Sequence, residues 1–152
     1  MRFEGVERIQ ATRESVWDFV TDPKRIGYCG PGVERIDVVG DGRFTAIAKV
    51  GIGIISARFR IDADMSTPKT GEEATVTVRA RAPGSAVDGV GRIKLLDNGT
   101  GTTMEWQADV RLAGRLASLG ARLIEGAAKQ MIDETFRRIK SKVEVESAPQ
   151  VE

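Results

Sequence analysis

The stretch that decides the fold is KVGIGIISARFRIDADM, residues 49 to 65. Its second half alternates strictly, with Ile55, Ala57, Phe59, Ile61, Ala63 and Met65 on one face and Ser56, Arg58, Arg60, Asp62 and Asp64 on the other. A period of two with one apolar and one charged face is the pattern of a strand in an antiparallel sheet, one side buried and one wet. Lys49 and Val50 end a preceding strand, which leaves Gly51 to Ile54 as the turn between the two. Turns face water and are usually built from Gly, Asn, Asp and Ser. This one carries Ile52 and Ile54, and an apolar turn needs a reason.

The same period extends from Val33 to Leu112, where six strands are divided by turn signals at Gly40-Asp41-Gly42, Gly51 to Gly53, Thr67 to Gly71, Pro83-Gly84-Ser85 and Asp97-Asn98-Gly99. Connections this short force neighbouring strands to run antiparallel. Upstream, Arg2 to Ala11 reads as a first strand. Thr12 then caps a helix of about two turns, with Glu14 near its positive end and Val16, Trp17 and Val20 at helical spacing. Asp22-Pro23 opens a second short helix that ends in the glycines of GYCGPG. Downstream, Arg115 to Val143 contains no proline and carries a broad stripe of small and apolar residues opposite Arg122, Glu125, Lys129, Asp133, Arg137 and Lys140. It predicts a long amphipathic helix packed on the sheet. The order therefore predicts an α+β fold: a seven-stranded antiparallel sheet wrapped on a long C-terminal helix, with two short helices after strand 1. One domain is expected over residues 1–145, followed by a polar, frayed tail at 146–152.

Composition narrows the function. A chain of 152 residues is long enough to bury roughly two thirds of its unfolded surface in one core. Its 23 basic and 22 acidic residues leave a net charge of +1, too little to gather nucleic acid by charge alone. The single cysteine, Cys29, allows no intrachain disulfide and fits a reducing, cytoplasmic location. No apolar run approaches the ~20 residues of a membrane span, and MRFEGVERIQ lacks the apolar centre of a signal peptide. There is no histidine. That removes the commonest general acid or base, the usual metal ligand and the partner of Ser and Cys nucleophiles. The glycines of 30–32 and 51–53 do not open a long helix after a parallel strand, so they do not read as phosphate loops. Cys29 has no histidine to activate it and reads as a small buried residue rather than a reactive thiol.

Strand parity sorts the turns between the two ends of the sheet. One end collects Asp41, Lys69, Thr70, Asp97, Asn98 and Thr100, an ordinary solvated set. The other collects Tyr28 and Pro31, Ile52 and Ile54, Pro83, and Leu116 and Leu119 at the start of the long helix. A clustered apolar rim marks a ligand entrance, a partner or a membrane surface; the alternative is that these side chains cover one another beneath the loops.

The inward faces are also short of bulk. Ala46, Ala48, Ala57, Ala63, Ala80, Ala82, Gly89, Gly91 and Ala108 face Ala117, Gly120, Ala121 and Ala128 of the helix. Either the helix backbone approaches closely and the core is solid, or a bent sheet holds it away and leaves a hollow of ~300–1,000 Å³. In the second reading the walls are Phe59, Ile61, Val78, Ala80, Val87, Gly89, Trp106, Ala108, Gly120, Ile124 and Ala128, with the indole N–H of Trp106 toward whatever enters.

Five segments, MRFEGVERI, SVWDFVTDP, CGPGVERI, VGIGIISARF and GRLASLGARLIEGAAKQMID, together resemble the family of the carbon monoxide dehydrogenase subunit CoxG, within the START-like, Bet v 1-like (SRPBCC) helix-grip superfamily. The resemblance covers about residues 1 to 140. It implies an apolar cavity between sheet and helix, and an accessory protein rather than an enzyme. It further implies service to a molybdenum-containing carbon monoxide dehydrogenase, by recruiting it to the inner face of the membrane or by handling its lipid-soluble electron acceptor. A quinone or lipid is then the implied ligand. No cofactor, metal ligand or catalytic residue follows from it. Three features depart from the family pattern: Gly30 stands where a bulkier apolar residue is usual, Glu7 takes an inward position by alternation, and the chain stops in KSKVEVESAPQVE without an anchoring extension. An enzyme of the same fold, a cyclase, dehydratase or hydrolase using Glu7 or Tyr28, and a structural adaptor with a filled core are the rival readings.

Overall fold

In the computed structural model, which describes residues 1–148, β1 (Arg2–Ile9) leads into two short helices, α1 (Arg13–Val20) and α2 (Pro23–Gly27). Each starts at the cap its sequence supplies. The Thr12 hydroxyl accepts from the Ser15 amide at 3.1 Å, and the Asp22 carboxylate accepts from the amides of Lys24 and Arg25 at 3.1 and 3.4 Å. Such caps satisfy donors that the first turn of a helix leaves without partners. Then follow β2 (Val33–Gly40), β3 (Arg43–Ile52), β4 (Ile55–Lys69), β5 (Glu73–Ala82), β6 (Ser85–Asp97) and β7 (Thr102–Gly114). They form a seven-stranded sheet in the order β1-β7-β6-β5-β4-β3-β2, antiparallel throughout. This is the α+β arrangement expected, with the first strand carried across to pair with the last.

The turn at the centre of the sequence argument is shorter than its glycines suggest. Ile52 and Ile55 are register partners, so only Gly53 and Ile54 connect β3 to β4. Gly53 has φ +59°, the left-handed conformation that a two-residue type II′ turn requires at its first central position. The two isoleucines then part company. Ile52 packs inward with Ile55, Phe59, Leu116 and Leu119, whereas Ile54 is 95% exposed.

The C-terminal helix also differs from its expected bounds. Residues up to Gly114 continue β7, a single 3₁₀ turn covers Ala117–Leu119, and α3 runs Ala121–Ser147 after Gly120. β7 keeps its pairing with β6 to the Ser85–Gly114 register, which holds the segment at Arg115 back from helix. The helix also continues four residues past Val143, taking up part of the expected polar tail; residues 149–152 of that tail lie outside the described residues.

The core is densest where α1 and the second half of α3 meet β1, β6 and β7. There Ile9, Val16, Phe19, Val20, Leu95, Met104, Ile139 and Val143 are buried together. α3 makes its main backbone approaches to β1, α1 and the turn that precedes it. Its first half is mostly exposed, with Ile124 buried. The helix is thus gripped along one side of the sheet and stands off from the other.

Candidate functional site

Where the helix stands off, a hollow of about 330 Å³ lies between the inner faces of β3, β4, β5 and β6 and the α1, α2 and loop segment opposite. Strand alternation supplies its lining: Phe44, Ala46, Ala48 and Val50 from β3, Ile61, Ala63 and Met65 from β4, Ala74, Val76 and Val78 from β5, and Gly91 and Ile93 from β6. Val20, Ile26, Gly27, Gly30, Pro31 and Val33 face them, and Thr135 is the contribution of α3. Among the described residues no charged side chain lines it, and Thr75 and Thr135 are the only hydroxyl-bearing ones that do. Thr135 donates to the Met131 carbonyl at 2.8 Å, so its hydroxyl is already engaged. Ile26, Pro31, Val33 and Val50 are only half-buried, which leaves the hollow open along that side. Larger depressions of about 720 and 790 Å³ occur on the outer face of the sheet. They are lined by residues such as Glu4, Arg92, Lys94 and Glu105, or Arg79, Asp88 and Asp109, and are grooves in the wet face.

Of the expected wall residues, Ile61 and Val78 line this hollow. Phe59 and Ala80 are instead buried against Ile55 and Leu116, with Val87 packed beside them. Gly89 lies one same-face step along β6 from the lining residue Gly91, and Ala108 is the register partner of Gly91 on β7. Trp106 lies behind Ile93, stacked on Phe136 with ring centroids 4.4 Å apart. Ile124 is buried, Ala128 half-buried and Gly120 exposed. The hollow therefore sits nearer β3 and the α2 loop than expected. The signal that would have moved it there is the run of inward alanines Ala46, Ala48 and Ala63, small residues on the side the helix does not cover.

The apolar rim divides in the same way. Ile52, Leu116 and Leu119 come together in one packed cluster, Leu116 being fully buried. Pro31 lines the hollow, while Tyr28, Pro83 and Ile54 stay exposed. Leu123 of α3 lies over the β3–β4 turn, its Cδ2 atom 3.0 Å from where a side chain on Gly53 would begin, and it too is largely exposed.

The loop on the open side is tied down by the helix. Arg138 donates to the carbonyls of Cys29 and Gly30 and to the Glu134 carboxylate, and Arg25 pairs with Glu146. Cys29 is buried, its thiol donating to the Arg25 carbonyl at 3.5 Å, and burial pushes its pKa up. On the wet face, hydrogen bonds from Arg58, Arg81 and Arg2 hold the carboxyls of Glu34, Asp88 and Asp109 below their ordinary range. Among the described residues no three His, Cys, Asp or Glu side chains gather as a metal site, and no helix is long and apolar enough to cross a membrane.

Solved structures share this architecture. A conserved protein from Geobacillus kaustophilus is 20% identical over 97% of this chain and 98% of its own, with a TM-score of 0.87. A START superfamily protein from Mycobacterium smegmatis is 11% identical over 95% and 97%, with a TM-score of 0.71. The Zhui aromatase/cyclase from Streptomyces sp. R1128 is 13% identical over 95% and 93%, with a TM-score of 0.67. At these identities the likeness concerns the fold. No protein of curated function matches the sequence. The profile of the carbon monoxide dehydrogenase subunit CoxG matches residues 5–144, and the chain belongs to this CoxG family, with a START-like fold.

Proposed function

We propose that this protein is a non-catalytic binding protein that holds an apolar, lipid-like or quinone-like molecule in its hollow and serves a molybdenum-containing carbon monoxide dehydrogenase-like enzyme. The observation that carries the reading is the lining: about 330 Å³ bounded by alkyl and aromatic side chains, with no charged group. A volume of that order is typical of small-molecule sites, and burial of apolar surface supplies the affinity. Acid–base chemistry needs a titratable group within hydrogen-bond reach of the substrate, and among the described residues no acid, lysine or cysteine lines this space. Carriage therefore suits it better than a reaction of the cyclase kind.

The family supplies the partner class, and electron-acceptor delivery or membrane recruitment are the two services it suggests. Membrane contact in this reading falls to the end that carries exposed Ile54 and Leu123 with exposed Arg115 and Arg122 nearby in the chain. Titration with an isoprenoid quinone, followed by quenching of tryptophan fluorescence, is expected to saturate at one molecule per chain. No saturable binding of quinones or acyl lipids would remove the reading.

A further inference from the structure

Among the described residues, no side chain lining the hollow has a hydrogen-bond donor to spare. Thr75 lies between its register partners Ser66 and Arg92 on the wet face, and strand alternation turns its hydroxyl that way while Ala74 and Val76 face inward. Thr135 has one hydroxyl proton, and it is committed to the Met131 carbonyl. Backbone donors are spent as well. β3 to β6 each pair on both sides, the amides of Ile26 and Gly30 donate to the carbonyls of Asp22 and Gly27 at 2.9 and 3.1 Å, and Pro31 has no N–H. The one buried side-chain donor without a partner among the described residues, Nε1 of Trp106, lies against Gly5 of β1 and does not line the hollow.

An oxygen acceptor buried without a donor leaves its desolvation uncompensated, and a buried charged headgroup costs far more. Hydrocarbon carries no such cost, and each methylene taken from water adds to affinity. Space sets the length. A cavity of about 150 Å³ takes one benzene ring, so the hollow of about 330 Å³ takes roughly a dozen carbons, close to two isoprene units. The rest of a longer molecule has to pass the open side, where Ile26, Pro31, Val33 and Val50 are half-buried. Resting on the reading of the hollow as a ligand site, we propose that it takes its ligand tail first. The terminal carbons of a single isoprenoid or acyl chain pack against buried Ala46 and Ala63, and the polar head stays hydrated beside Pro31, Val33 and Val50. The ligand class is then a single-chain amphiphile recognised by its tail. A quinone ring carried this way is presented at the surface, within reach of a redox partner.

The test uses the unaltered protein with ubiquinones bearing no isoprene unit, one, two or four, and with geranyl acetate, which joins a two-unit tail to an ester head. Affinity is expected to rise at least about tenfold with each of the first two units, as burial of five carbons implies, and by less than about threefold beyond them. Geranyl acetate is expected to bind despite its different head. By NMR, the tail methyls of the two-unit quinone are expected to show NOEs to Ala46 and Ala63, and its ring methoxy groups to Val33 and Val50. Ring contacts at Ala46 and Ala63, a tailless quinone that binds as tightly as the two-unit one, or failure of geranyl acetate where that quinone binds would each overturn the tail-first orientation and leave the hollow a ligand site. If neither two-unit probe binds saturably, or if the bound quinone touches neither set of residues, the reading of the hollow falls and the orientation with it.

Discussion

Arg138 and Gly30 join the helix to the edge of the hollow: the guanidinium on α3 donates to the Gly30 carbonyl at 3.3 Å, and to that of Cys29 at 3.4 Å. Gly30 and its neighbour Pro31 line the hollow, so the helix holds its open side in place through this contact. Arg138→Met keeps the alkyl stem and removes the donors. A stability loss of about 1 kcal/mol is expected, with faster amide exchange confined to the loop around residues 29–33. Exchange that rises evenly across the domain would contradict the latch.

Filling the hollow separates an open chamber from a solid core. Ala46→Leu and Ala63→Leu each add bulk at a buried lining position. In a close-packed interior such changes cost about 1–3 kcal/mol through strain. With space available, each is expected to cost less than about 1 kcal/mol while removing ligand binding. Thermal denaturation and quinone titration of the two variants check both halves.

Leu116 closes the opposite boundary, fully buried among Ile55, Phe59 and Ala80. Leu116→Ala is expected to destabilise the fold by about 2–5 kcal/mol in denaturant unfolding. Ile54, the residue before Ile55 and almost wholly exposed, is the contrast. Ile54→Asp is expected to change stability by no more than about 0.5 kcal/mol yet to abolish sedimentation with vesicles containing anionic lipid. Unaltered sedimentation would take the membrane contact away from this turn.

Cys29 should be inert. Its thiol is buried and its pKa raised, so little thiolate exists at neutral pH. Reaction with a disulfide reagent is expected to be slow in the native protein and fast after unfolding; rapid native labelling would mean that the Gly27 to Gly32 segment opens readily.

The wet face carries the acid response. Glu34, Asp88 and Asp109 have folded-state pKa values below the ordinary range because arginines donate to them. Groups of this kind add stability that is fully present above the ordinary carboxylate pKa and lost as pH falls through the lowered one. Tm should therefore be flat above about pH 5 and decline below it, with Asp88→Asn shallowing the decline. All three carboxylates are solvent-exposed, so the change is small.

The fold was legible because its signals are local. The alternation from Ile55 to Met65 and the caps at Thr12 and Asp22 each act within a few residues, and strand parity then sorted the turns to their ends. The hollow was legible only in kind. Inward Ala and Gly residues occur on β3 through β7, and which of them meet the helix depends on where α3 lands. That path is set by distant packing of Ile139 and Val143 against Ile9, Val16 and Met104, which draws the helix toward β1 and uncovers Ala46, Ala48 and Ala63. The same path places Phe136 on Trp106 and closes off the wall expected there. Glu7 follows its alternation: it is half-buried between exposed neighbours, and it does not line the hollow.

Native mass spectrometry of freshly purified protein, with analysis of its organic extract, addresses the chamber most directly. The account predicts one prenylated or acyl compound per chain in the unaltered protein and none in Ala46→Leu. Repeated preparations that carry no such compound and take up no added quinone, from a protein that is otherwise folded, would contradict it.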